Sequence, residues 1–188
     1  MKHIASYEGS FLNHLEGIFR PEDRALAIEL VEALGLVAAE LKFTADSSIL
    51  AVHPNSDDRD PTNNIVFLYE MPEKQKTVVD LMQAKIAADP ELRQAVDDYR
   101  QATQQMPAMM PHFGLRYRTA AELDKVIDTV RNRLSPALQA RVNLVEAPRY
   151  EVVEGMPDIR QVFVRTDVLS VGGLGFDQAI ELQIDRAK

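Results

Sequence analysis

Four histidines, His3, His14, His53 and His112, and no cysteine set the chemistry open to this chain. Without a thiol there is no thiolate nucleophile, no thiolate metal site and no disulfide framework. Two of the histidines sit alike. His14 lies in "FLNHLEGIF" and His112 in "MMPHFGLRYR", each at the mouth of an alternating, strand-like run. A lone histidine at a strand end is most often structural, but two at matching places raise the question of one shared site. Glu16, two residues after His14, shares its strand face and can serve as a ligand or a base. Glu181, between Ile180 and Leu182, is either an outward charge on an alternating strand or a third member of that site. His53 precedes Pro54 and reads as a loop-edge residue. The glycine-rich "SVGGLGFDQ", residues 170–178, is no phosphate loop, because neither a helix nor a Lys-Ser/Thr pair follows. No Gly-x-Ser-x-Gly elbow supports Ser-His-Asp catalysis.

The elements that must position these residues fall into two similar runs. "NHLEGIF" reads as a strand, and "RPEDRALAIELVEALGL" as a helix with Pro21 and acids in its first turn. Leu26, Leu30 and Leu34 repeat at helical spacing, and Gly35 stops the pattern. "AAELKFT", "SSILAVH" and "NIVFLYEM" follow as strands, with the polar loop "PNSDDRDPTNN" before the last. The second run opens with the strand "HFGLRYR". In the helix "TAAELDKVIDTVRNRL", Thr119 and Glu122 form a capping box. "VNLVEAPRYEVV", "IRQVFVRTDVL" and "QAIELQI" then read as strands. Both halves therefore predict β-α-β-β-β, over residues 1–71 and 109–188. Residues 72–108 between them are polar and broken by Pro90. They predict two helices, 73–88 and 90–104, read as a solvated connector rather than a cover or dimer arm. The methionines at 106 and 109–110 read as packing filler.

Composition bounds the partners. The chain has 188 residues, enough for one core, with Lys plus Arg 21, Asp plus Glu 29 and a net charge of −8. That balance, with 6% aromatics and no tryptophan, argues against nucleic acid. No apolar run is long enough for a membrane span and no signal pattern opens the sequence, so a cytoplasmic location is expected.

The duplicated β-α-β-β-β order resembles the vicinal oxygen chelate superfamily: glyoxalase I, methylmalonyl-CoA epimerase, extradiol dioxygenases and bleomycin-resistance-type binding proteins. The resemblance covers nearly the whole chain outside the helical insertion. "HLEGIFRPEDRALAIELVEALGL" looks like the family's first strand and helix, and "GFDQAIELQ" like its last strand. The resemblance implies an α+β fold in which two modules pair into a curved mixed-sheet cleft, within one chain or across a homodimer. It implies metal ligands at His14, His112 and Glu181, a two-histidine, one-carboxylate set suited to iron(II), manganese, nickel or zinc. The fourth family ligand, a carboxylate in the last strand of module one, falls on Phe67. Glu70, three residues on, is the nearest acid; either it completes the set or three protein ligands hold the ion. Three ligands imply an extradiol-dioxygenase-like enzyme. Four imply a glyoxalase-like lyase or isomerase, moving a proton beside a carbonyl, with Glu70 or Glu16 as candidate catalytic carboxylates. Either would act on a small substrate chelated through two neighbouring oxygens. A metal-free binding protein or a silent homologue is the alternative. Tyr69, Tyr117, Tyr150 and Arg116 are candidates to line the cleft.

Overall fold

The computed structural model describes residues 14–44, 47–54, 64–109, 111–147, 159–171 and 178–185. His3, Tyr150, Met110 and the glycine turn at 172–175 lie outside them. The described residues form a mixed α+β fold, with five α-helices and two mixed sheets of five and four strands.

In the first half the order is β1 (His14–Phe19), α1 (Arg24–Ala33), β2 (Val37–Thr44), β3 (Ser47–His53) and β4 (Ile65–Glu70). A 3-10 turn at Pro21–Asp23 leads into α1. Gly35 ends that helix at φ +80°, a left-handed turn that a Cβ would strain. In the second half the order is β5 (His112–Arg116), α4 (Ala120–Asn132), the short α5 (Pro136–Gln139), β6 (Val142–Glu146), β7 (Ile159–Thr166), β8 (Leu169–Ser170) and β9 (Gln178–Asp185). The expected capping box is formed: Thr119 Oγ1 accepts from the Glu122 amide at 3.2 Å, and Glu122 accepts from the Thr119 amide at 3.3 Å.

Both sheets share one wiring. The first strand lies parallel to the last, β1 on β4 and β5 on β9, and the remaining strands add antiparallel, giving β2-β3-β4-β1 and β5-β9-β7-β6. β8 leaves the second half and pairs with β1 instead, through Ile18↔Ser170 and Phe19↔Leu169. Gly17 permits that approach, because a Cβ there would stand 2.9 Å from a Leu68 methyl and 3.1 Å from the Ser170 carbonyl.

One face of each sheet packs on a common helical layer. Leu30 and Leu34 of the α1 segment, Leu123 and Val130 of α4, and Leu138 of α5 form one core with Leu50, Val52 and Leu68 of the first sheet and Val162, Val164, Ile180 and Leu182 of the second. Each such side chain contributes about 1.5–3 kcal/mol on burial. Polar groups also join the halves. Arg141, ahead of β6, donates to the 5% exposed Asp23 ahead of α1 at 3.0 Å, and to Asp167 at 2.8 Å. The Asp23 bond is the main reason its guanidinium pKa is raised above the usual arginine value.

The insertion forms α2 (Glu73–Ala88) and α3 (Pro90–Gln105), close to the expected bounds. Among the described residues no helix is long and apolar enough to cross a membrane.

Candidate functional site

Strand alternation leaves each sheet a second face, turned away from the shared core. The register fixes what stands there. In the second half, His112 pairs with Ala179 and Gly114 with Glu181, while Phe163 and Arg165 of β7 pair with Glu181 and Ala179. In the first half, His14 pairs with Ile65 and Glu16 with Phe67, while Ala51 of β3 pairs with Phe67. His14 and His112 therefore hold matching positions, and Phe67 stands where the second half has Glu181.

The second half builds a held carboxylate. Glu181 is 7% exposed. His112 Nε2 lies 3.2 Å from its Oε2, and the Gln161 side-chain amide donates to its Oε1. The His112 ring meets Phe163 edge-on, with centroids 5.3 Å apart. Neighbouring Arg165, 5% exposed, donates to the Arg100 carbonyl of α3 at 3.2 Å. Ala108 packs against Phe163 and Ala147. The end of the insertion therefore lies on this face, while α2 and α3 themselves are mostly solvated, each with one buried residue. Met106, read as filler, is 57% exposed.

The first half builds an open counterpart. His14 Nε2 lies 3.7 Å from Glu16 Oε1, with side chains 43% and 58% exposed. The His14 ring leans on Phe67, with centroids 5.5 Å apart. Tyr69 donates to Glu16 Oε1 at 3.3 Å. Burial, and then the charge of Glu16, push the Tyr69 phenol above its ordinary value.

Other expected residues go elsewhere. Glu70 alternates to the helix side, 3.2 Å from Arg24 Nη1, so the structure separates it from His14 and Glu16. Arg24 also reaches Glu40 at 3.0 Å. Tyr117 donates to the Leu34 carbonyl at 2.8 Å and packs on the core, so it does not line this face, and burial raises its pKa. Arg116 keeps to the His112 face, pairing with Gln183. His53 ends β3 at the loop edge, as expected, but it is buried at 4% exposure, and its Nδ1 has no hydrogen-bond partner among the described residues.

A metal centre on His14, His112 and Glu181 needs the three to share one point. Among the described residues no three His, Cys, Asp or Glu side chains are grouped to hold an ion. Both Glu181 oxygens already face side-chain nitrogens, and the Nε2 of His112 faces the carboxylate. The side chains as placed do not fit the three-ligand set.

Gln161 and Phe163 were not foreseen as site residues. The signal lay in "IRQVFVRT", where Gln161, Phe163 and Arg165 alternate with Val162 and Val164. If the valines face the core, the other three face the site.

No family model and no curated protein matches the chain. Among solved structures, UcmS2 shares 15% identity at a TM-score of 0.43, over 92% of this chain and 98% of its own. Hypothetical protein SA1046 from S. aureus shares 13% at 0.40, over 93% and 97%.

Proposed function

We propose that this chain is a small-molecule-binding protein of the vicinal oxygen chelate type, whose two modules pair to enclose a ligand that is held without a resident metal. The shared strand wiring of the two halves and their matched histidines support the family reading. Glu181 carries the functional one. A carboxylate at 7% exposure costs several kcal/mol to bury unless nitrogen donors compensate it. Gln161 donates to it and the His112 imidazole nitrogen stands 3.2 Å away, on a face that the core does not need.

The ligand this arrangement suits is small and carries an N–H or O–H group. That group would share Glu181, while a flat part would rest on the half-buried Phe67 and Tyr69. Thermal denaturation with a panel of aromatic amines and polyols, with and without a chelator, tests this. A binder at a hundred times its dissociation constant adds about 2.7 kcal/mol of stability. The expected result is a shift that survives the chelator and disappears in Glu181→Gln.

A specific observation favours a second reading. His14 and His112 at one register, beside Glu181, are what a metal-dependent dioxygenase or isomerase would need if the halves drew closer. Elemental analysis of the purified chain decides. A stoichiometric divalent ion that is lost in both His14→Ala and His112→Ala overturns the metal-free reading.

A further inference from the structure

We propose that the outer surface of the α2–α3 hairpin docks a second copy of this chain, the two hairpins forming a four-helix contact about a two-fold axis. The inference stands apart from the ligand site. α2 and α3 have 16 residues each, yet one in each is buried: Val79 and Thr103. Among the described residues every exposed large hydrophobic lies on this hairpin or at its exit: Val78, Leu81, Leu92, Tyr99 and Met106, at 38–66% exposure. Elsewhere among the described residues the large apolar side chains are buried or half-buried. A helix pair gains little stability from propensity alone and needs an apolar face buried. Contiguous exposed apolar patches on otherwise polar chains mark interfaces.

The occupant is argued from charge. The whole chain carries −8, so two copies repel. Residues 73–105 hold five Lys or Arg against six Asp or Glu, a local balance of −1. A two-fold interface must also complement itself, so one patch needs both signs. On α2, Lys74, Val78, Leu81 and Lys85 follow helical spacing as an apolar stripe with basic ends, all exposed. On α3, the exposed acids Glu91 and Asp98 stand beside Leu92 and Tyr99. Setting the α2 stripe of one copy against α3 of the other joins apolar to apolar and basic to acidic.

Light scattering and sedimentation equilibrium on the full chain test the proposal. The expected result is a reversible dimer, with Leu81→Lys raising its dissociation constant about tenfold or more. Leu81 is 66% exposed, so the variant should keep the wild-type circular dichroism and melting temperature. A second pair of variants separates specific docking from general stickiness. Lys74→Glu with Lys85→Glu, and Glu91→Lys with Asp98→Lys, should each be monomeric alone and dimeric when mixed. A wild-type monomer at every concentration, or a dimer that Leu81→Lys leaves intact, overturns it. So does a mixture that stays monomeric.

Discussion

The His112 and His14 half-sites start from the same register and end as different chemistry. In the second half the carboxylate stands on the last strand, at Glu181, opposite Gly114. In the first half it has crossed to the neighbouring strand, at Glu16, and Phe67 fills the place opposite. One strand's width separates the two solutions, yet the environments diverge. The Glu181 side chain is 9% exposed and held from both sides, whereas that of Glu16 is 58% exposed and shared with a tyrosine. A carboxylate in the middle of a sheet is shielded by strands on either side. In the first half that position went to an aromatic ring, and Glu16 stands on β1 short of its pairing with β8 at Ile18 and Phe19, so its carboxylate stays in solvent. Duplicated wiring therefore gives matched positions but not matched electrostatics.

The largest test of that contrast is to remove each histidine in turn. His112→Ala removes one of the two side-chain nitrogens that face a carboxylate with little access to water. It should lower stability by about 1–3 kcal/mol in chemical denaturation, the cost of leaving a buried polar group less satisfied. His14→Ala breaks a long, exposed pair and should cost less than about 1 kcal/mol. Equal losses would break the comparison, since the half-sites would then not differ in how much the imidazole matters.

Much of this fold was legible because the sequence repeats its pattern twice. The Leu30 and Leu34 stripe, the Gly35 stop and the Thr119–Glu122 box each follow from local chemistry, and each formed. The sequence placed Glu16 near His14 and Glu181 near His112, but not the residues that pack around them. Glu70 illustrates the reason. Sequence offered it as the acid nearest the Phe67 slot, but three residues along a strand is an odd step, and odd steps change face. Arg24, 46 positions away, then holds it on the helix side. Gln161 needed both the face of β7 and its pairing with β9, and the pairing partner is not written in either strand. The covering of Phe163 by Ala108 is more distant still, because a connector's polar composition says nothing of where its last turn rests.

A smaller effect sharpens the comparison from the opposite side. Phe67→Glu would give the first half the carboxylate that its register position lacks. The new carboxylate would stand directly opposite Glu16. Like charges across a strand pair cost roughly 0.2–1 kcal/mol, in addition to the packing lost against His14. The variant should melt below wild type in metal-free buffer, and calcium or manganese should restore part of the loss in the variant alone. If the variant melts like wild type with or without the cation, Glu16 and residue 67 do not oppose one another.

The smallest effect concerns Tyr69, which has no counterpart in the second half, where Gln183 holds its register place. Burial raises the Tyr69 pKa first, and the charge and hydrogen bond of Glu16 raise it further. Glu16→Gln removes the charge and keeps an acceptor. Phenolate absorbance should then show Tyr69 ionising at lower pH than in wild type, yet still above the ordinary value of 10.0, because burial persists. The sign for stability follows from linkage. A phenol whose folded pKa is raised contributes stability that is fully present below the unfolded value and is lost as pH rises through the folded one. Tyr117 works in the same direction through burial alone, so wild type should lose stability as pH climbs past about 10, the unfolded phenol value. Glu16→Gln should shrink the Tyr69 part of that loss, because the folded phenol then ionises closer to the unfolded value, and Tyr117→Phe should remove the Tyr117 part. An unmoved Tyr69 titration in Glu16→Gln would mean that the open half-site does not hold its carboxylate against the phenol, and the contrast with Glu181 would then rest on burial alone.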